Sequence, residues 1–283
     1  RGELLGQEQL AERARELARG QQSGPATTWR EAPLLTRLAQ SHKILHEAHA
    51  RLAAGAARGV DVGPAGEWLL DNFHVVREHI REIRESLPRG YYRELPELTR
   101  GALAGYPRVY ELTITLISHT EARVDRQSLD GFVTAFQSVR HLSIGELWAV
   151  SAMLRLALIE SVRRMTLRTV QRMDHIEKAD GWAARIASAA EQGEAPLASA
   201  LDAFVRSHPQ LTAAFVSRLL HQLRLIVGSY PILAHIEQWI SDRSLGAEDA
   251  NARATQHLAL TQVIMAHSIT SLRTIAHLDW PSC

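Results

Sequence analysis

The stretch "SIGELWAVSAMLRLALIESV", residues 143–162, decides the fold class. Ser143 and Glu146 form the S-x-x-E pattern of an N-terminal capping box, and the apolar residues that follow recur with the period of a helix. An inward stripe runs to about Asp180 and Gly181 through Leu147, Ser151, Leu154, Leu158, Val162, Met165, Thr169, Met173 and Ile176. Because Glu146, Arg155 and Glu160 interrupt its apolar surface, this helix is not expected to cross a membrane.

Helical periodicity recurs along the rest of the chain, and strand patterns are nearly absent. After Pro64, which can open a helix, an apolar stripe steps by four and three through Leu69, Phe73, Val76, Ile80, Ile83 and Leu87, and Pro88 then stops it. Further helices are predicted at about 7–19, 31–57, 107–119, 128–141, 195–206, 210–227, 231–242 and 247–277. The sequence therefore predicts an all-α fold, a bundle or array of many helices.

Charge and cysteine content exclude several classes of protein. Lys and Arg total 32 against 31 Asp and Glu, so the net charge of +1 gives no global field that attracts nucleic acid or an anionic membrane. The single cysteine, Cys283, rules out an intramolecular disulfide and a cysteine-based metal cluster. These features fit a reducing compartment and a partner other than nucleic acid.

The chain is expected to be a piece of a longer protein, because it starts at Arg1 and carries no signal peptide or anchor. Residues 1–30 comprise one helix and a linker rich in Gly, Ser and Pro, "GQQSGPATT" from Gly20. Residues 31–283 are interpreted as one helical domain, and a division into two subdomains near 181–195 is left open.

Motifs for catalysis and metal binding are weak. His42, His46 and His49 share a helix face, but "HEAH" lacks one residue of the zinc motif H-E-x-x-H, so no metal site is predicted. Glu67 and Asp71, one turn apart, are interpreted as acids near a helix start rather than as an acid/base pair. Nucleophile-elbow and phosphate-loop signatures are absent from the sequence, so no catalytic residue is assigned.

The segment "LPRGYYRELPEL", residues 87–98, is the strongest candidate for binding. Its two prolines stiffen the ends of a loop that carries adjacent tyrosines and arginines. One interpretation is an ordered corner, with one tyrosine ring in the core, the other half-exposed, and Arg89 and Arg93 paired with Glu94, Glu97 or helix carboxylates. The other is a docking surface, for which Tyr92→Ala with Arg93→Ala is expected to leave the thermal midpoint nearly unchanged.

Four stretches resemble the N-terminal helical region of bacterial cyclic β-1,2-glucan synthases. They are "EWLLDNFHVVREHIREIRESLPRGYYRELPEL" (67–98), "YPRVYELTITLISHTEARVD" (106–125), "SIGELWAVSAMLRLALIESVRR" (143–164) and "HSITSLRTIAHLDW" (267–280). They occur in the family's order from about Leu34 to Trp280, and the first thirty residues match poorly. His267 departs from the family pattern, which has asparagine before "SITSLR", and "FHVVREHI" is more basic than usual.

The resemblance implies a large bacterial synthase that makes β-1,2-glucan from UDP-glucose, with a divalent metal ion, at the cytoplasmic side of the inner membrane. It places this segment before a family 84 glycosyltransferase domain and its membrane spans. Those parts of the same polypeptide are the implied partners. No catalytic residue of the family maps onto this chain, and the segment is expected to need no cofactor and to transfer no glucose by itself.

The sequence therefore predicts a non-catalytic helical domain that packs against the transferase or orders the chain beside it. An alternative within the same enzyme is a sugar-binding subsite, in which Trp68, Tyr91 and Tyr92 offer aromatic platforms. A second alternative is a free-standing helical adaptor unrelated to glucans. The residues assigned to interdomain or sugar binding are Trp68, Arg89, Tyr91, Tyr92 and Arg93; no metal ligand is assigned.

Overall fold

A computed structural model describes residues 4–25, 32–226, 230–243 and 247–278. Within these ranges the chain forms eleven helices and almost no strand, and 79% of it is helical, so the predicted all-α fold is confirmed. None of the helices found there is both long and apolar enough to cross a membrane. Cys283, Trp280 and part of the predicted linker lie outside the described residues.

The helices lie close to their predicted positions. In chain order they are α1 (Gln7–Gly20), α2 (Pro33–Ala57), α3 (Gly63–Ser86), α4 (Arg89–Tyr92), α5 (Arg108–His119), α6 (Arg126–Gln137), α7 (Ile144–Gln192), α8 (Glu194–Arg206), α9 (Ala213–Ile226), α10 (Tyr230–Ser241) and α11 (Ala247–Ala276). Two short strands, β1 (Ser23–Gly24) and β2 (Glu97–Leu98), pair antiparallel. The sequence predicted neither these strands nor the single-turn helix α4.

Helix α3 follows its sequence pattern closely. It contains Pro64 in its first turn and ends before Pro88, as predicted. All six residues of its predicted apolar stripe are buried: Leu69, Phe73, Val76, Ile80, Ile83 and Leu87. The exposed face carries Arg77, Arg81 and Glu85. Local periodicity alone therefore places both the bounds and the inward face of this helix.

Helix α7 starts as predicted but ends later. The Ser143 amide donates to Glu146 Oε2 at 2.9 Å, and the Glu146 amide donates to Ser143 Oγ at 3.2 Å, which confirms the capping box. The predicted end at Asp180–Gly181 is wrong, since the helix continues to Gln192. Ala179, Ala183 and Ile186 are buried, and this packing outweighs the cost of about 1 kcal/mol for glycine inside a helix.

The chain divides by packing into two units. The first comprises residues 1–50, 67–166 and 262–283, and the second comprises 51–66 and 167–261. Their bounds fall inside α2, α3, α7 and α11. Residues 181–195, where the sequence leaves a subdivision open, lie wholly in the second unit. A subdivision at that point stays a prediction.

Each unit has its own apolar core. In the first, the large side chains that are at most 1% exposed include Tyr92, Tyr110, Phe132 and Phe136. In the second, the buried Phe204 ring packs in T-shaped geometry against the rings of Trp182 and Trp239, with ring centroids 5.3 Å apart in each pair. Aromatic pairs of this geometry stabilise a core beyond the area that they bury.

A candidate docking surface

The segment 87–98 forms an ordered corner in the first unit. Pro88 caps α4 in extended geometry, and α4 is a single turn from Arg89 to Tyr92. The chain then enters β2. Leu95, just before this strand, and Leu98, within it, are both buried. The backbone N–H of Arg108 donates to the Pro96 carbonyl at 2.9 Å, so the corner is also tied to the start of α5.

The two adjacent tyrosines of the corner have different surroundings. Tyr92 is 1% exposed, and its hydroxyl lies beside the backbone of Leu34 at the start of α2. Burial raises the pKa of this phenol well above its ordinary value. Tyr91 is half-buried, and its hydroxyl donates a hydrogen bond to the Gly145 carbonyl in the first turn of α7. This is the arrangement that the ordered-corner interpretation predicts.

Tyr92 therefore cannot be a sugar-stacking platform, since neither face of its ring is open. The same burial corrects the expected result of Tyr92→Ala with Arg93→Ala. Truncating a fully buried aromatic side chain typically costs about 3–5 kcal/mol, so that pair of substitutions would unfold or weaken the corner itself. A test of docking needs residues that are exposed.

Arg89 and Arg93 are exposed on either side of the tyrosines. Their expected pairing with Glu94, Glu97 or helix carboxylates is not found: neither guanidinium forms an ion pair within the described part of the chain. Two exposed positive charges thus flank Tyr91. Long cationic side chains of this kind commonly form the polar rim of a protein interface.

Two large apolar side chains lie beside this corner at the start of α7. Ile144 is 69% exposed and Trp148 is 76% exposed. They are four residues apart and so share one helix face. Between them in sequence is Gly145, whose added Cβ would be 3.8 Å from the Tyr91 ring. Hereafter the corner surface means Arg89, Tyr91, Arg93, Ile144 and Trp148.

Sequence reasoning missed Ile144 and Trp148 as surface residues. A signal was present, because both lie off the inward stripe that starts at Leu147. Large apolar residues in an apolar window are usually buried, however, and periodicity is weak evidence in the first turn of a helix. Their exposure depends on where the corner meets α7, which is a tertiary feature.

A buried ion pair fixes the start of α7. Arg108 Nε donates to Glu146 Oε1 at 2.5 Å and its Nη2 donates to Oε2 at 2.8 Å, while Nη2 also reaches the His141 carbonyl at 2.8 Å. Burial would raise the pKa of Glu146, but hydrogen bonds from Arg108 and Ser143 outweigh it and lower that pKa. The helix turn that carries Ile144 and Trp148 is therefore held rigidly.

Trp68 is not part of the corner surface. It is half-buried near the start of α3, whereas the corner follows the end of that helix. The intervening 18 residues of α3 correspond to about 27 Å at 1.5 Å per residue. The structure therefore brings Arg89, Tyr91 and Arg93 together and separates Trp68 from them; binding through any of these residues stays a prediction.

The three histidines of α2 lie against other side chains. The ring of His49 stacks on Phe73 at 4.1 Å, that of His46 meets Phe73 edge-on at 6.5 Å, and His42 Nδ1 lies 3.4 Å from an Arg84 nitrogen. Burial, and then neighbouring Arg and His charges, lower the pKa of His42 and His49. Among described residues, no three His, Cys, Asp or Glu side chains are grouped as metal ligands.

Comparison with known proteins supports one resemblance. Over 243 residues, 85% of this chain, the sequence is 32% identical to Cyclic beta-(1,2)-glucan synthase NdvB of Rhizobium meliloti strain 1021. The chain spans only 8% of the length of that relative. No family model matches the chain. The predicted resemblance to the synthase family is thus confirmed, and the short span is consistent with one region of a larger polypeptide.

Proposed function

We propose that this chain is a helical, non-catalytic segment of a cyclic β-1,2-glucan synthase, and that its corner surface packs against another part of the same polypeptide. The observation that carries the proposal is the exposed pair Ile144 and Trp148 beside Tyr91. The similarity to a synthase of which the chain spans only 8% supports the same conclusion.

The chemistry of the corner surface suits a permanent contact. Trp, Tyr and Arg are the residues that most often dominate binding energy at interfaces, and the corner surface contains all three together with a large exposed isoleucine. Because α4 and the start of α7 are already ordered, little conformational entropy is lost on association. The expected partner surface is an apolar recess with acidic residues at its rim, which would face Arg89 and Arg93.

Buried polar groups in the core of the first unit form hydrogen bonds between helices, which supports a structural role. Arg108 and Glu146 connect α5 to α7, and the Asn72 amide oxygen of α3 accepts a hydrogen bond from Arg273 of α11. Ser271 of α11 donates to the Ala122 carbonyl at 2.8 Å. In the proposal, glucose transfer from UDP-glucose takes place elsewhere in the polypeptide, at the cytoplasmic side of the inner membrane.

Replacing the exposed apolar pair should impair the synthase without unfolding this segment. We expect Ile144→Ser with Trp148→Ser to reduce β-1,2-glucan synthesis by the full-length enzyme several-fold, because the contact loses its main anchor. The thermal midpoint of the 283-residue chain should change by less than about 2 °C, since the replaced side chains are already in water. Glucan yield and thermal unfolding are measured side by side.

Leu225, which is 68% exposed in the second unit, offers a matched control. Leu225→Ser removes the same kind of exposed apolar group at a site with no assigned contact, so synthesis should be unchanged. Wild-type synthesis by the Ile144 and Trp148 double variant would contradict the docking role. An equal loss in the Leu225 variant would show that exposed apolar area, rather than the corner surface, matters.

A further inference from the structure

An open cavity of about 610 Å³, lined by both polar and apolar side chains, lies in the first unit, separate from the corner surface. Its lining residues are Pro33, Thr36, Arg37, Gln40, Ser41 and Ile44 of α2, Tyr106 just before α5, and Arg163 of α7. Cavities that bind small molecules usually measure about 300–1,000 Å³. The size therefore suits a ligand of one or two rings.

The buried carboxylate of Glu160 accepts hydrogen bonds from three side chains that line this cavity. Glu160 has a side chain that is 8% exposed; its Oε2 accepts from Arg37 at 2.8 Å and from Arg163 at 3.0 Å, and its Oε1 accepts from Ser41 Oγ at 2.6 Å. Burial would raise the pKa of Glu160, but these donors outweigh it and lower that pKa. The carboxylate is therefore ionised and its oxygens are already engaged.

Two guanidinium groups thus share one carboxylate, and the wall carries an excess positive charge. Arg37 remains 42% exposed in its side chain, and Arg163 remains 21% exposed. The Arg163 Nε–H is buried and has no hydrogen-bond partner in the described structure. Each guanidinium has five N–H donors, so donors outnumber acceptors among the charged groups of this cavity.

We propose that this cavity binds the phosphoryl group of a sugar phosphate or nucleotide. Paired arginines match the fork geometry of phosphate oxygens, and charge-assisted bonds to them are strong. Glu160 holds both guanidiniums in place before the ligand arrives. Tyr106, which stacks on Tyr110 with ring centroids 5.9 Å apart, lends a flat wall for the sugar or base. This site is independent of the docking role proposed above.

Gln40 allows the site to be tested without removing any of the hydrogen-bond donors to Glu160. It is exposed and lines the cavity, and it is not among the side chains that donate to the carboxylate in the described structure. Glucose 1-phosphate, inorganic phosphate and uridine diphosphate are titrated into the 283-residue chain at low salt, with binding followed by calorimetry and by ¹H–¹⁵N spectra. We expect Gln40→Glu to weaken their binding at least about tenfold, whereas Gln40→Lys should retain or strengthen it.

One further variant and two competition measurements distinguish the class of ligand. Arg37→Gln should also weaken binding about tenfold or more, in a variant whose folding is checked by its thermal midpoint. Neutral sophorose, a β-1,2-linked disaccharide of glucose, should not compete with glucose 1-phosphate. Vesicles containing phosphatidylglycerol should not compete either, because that headgroup has no ring that could pack against Tyr106. Binding that is unaffected by Gln40→Glu, or that is seen only with sophorose or only with vesicles, overturns the proposal.

Discussion

Arg108→Ala is expected to lower the free energy of unfolding by about 3–5 kcal/mol, as large a loss as truncation of a fully buried aromatic side chain. The substitution removes both hydrogen bonds to Glu146, whose side chain is 1% exposed, and leaves that carboxylate buried without its cation. It also removes the donor to the His141 carbonyl. Urea denaturation of the 283-residue chain, followed by circular dichroism, measures the change.

Arg126→Ala is the matched control for this prediction. Arg126 pairs with Asp130 one turn further along α6 at 3.4 Å, but both side chains are more than 40% exposed. Exposed pairs of this kind contribute about 0.3–0.5 kcal/mol. Similar losses in the two variants would mean that the Arg108–Glu146 pair is not the buried anchor of α7 described here.

Acidification from pH 7 to pH 5 is expected to destabilise the first unit through His79. Burial, and then the Arg155 guanidinium, lower the pKa of His79 from 6.5 to about 4. Between these two values the unfolded chain binds a proton that the folded chain does not, so stability rises with pH across this window and falls on acidification. The full difference corresponds to about 3 kcal/mol, of which slightly more than half, about 2 kcal/mol, is reached by pH 5.

His79→Gln separates this effect from other titrations. Arg155 Nε donates to His79 Nδ1 at 3.1 Å, and the glutamine carbonyl can accept the same bond without titrating. The free energy of unfolding, measured by urea denaturation between pH 7 and pH 5, should depend much less on pH in the variant. The pKa values of His42 and His49 are also lowered, so the stability of the variant should still rise with pH, but less steeply. An unchanged slope would exclude His79 as the cause.

Features that depend on nearby residues were predictable from the sequence. The apolar stripe of α3, its bounds at Pro64 and Pro88, and the capping box of Ser143 and Glu146 all involve neighbours within a few residues. Such patterns reflect periodicity and backbone constraints that act before tertiary packing. They were sufficient for the fold class and for most helix positions.

Features that depend on distant residues were not predictable. β1 pairs Ser23 with Leu98, 75 residues away, and Glu146 pairs with Arg108, 38 residues away. The continuation of α7 past Gly181 depends on packing in the second unit. The candidate site shows the same division: the sequence identified the tyrosine corner, but whether Tyr91, Tyr92 or Trp148 is exposed depends on the fold around them.

We propose that the corner surface contacts another part of the same polypeptide. This contact is tested by photo-cross-linking from p-benzoylphenylalanine placed at position 148 of the proposed full-length synthase. The same group at position 81 is the control, because Arg81 is 67% exposed on α3. We expect an intramolecular cross-link from position 148 to residues outside these 283, and none from position 81. A position-148 cross-link found only to a different protein, or no cross-link in an active enzyme, would contradict it.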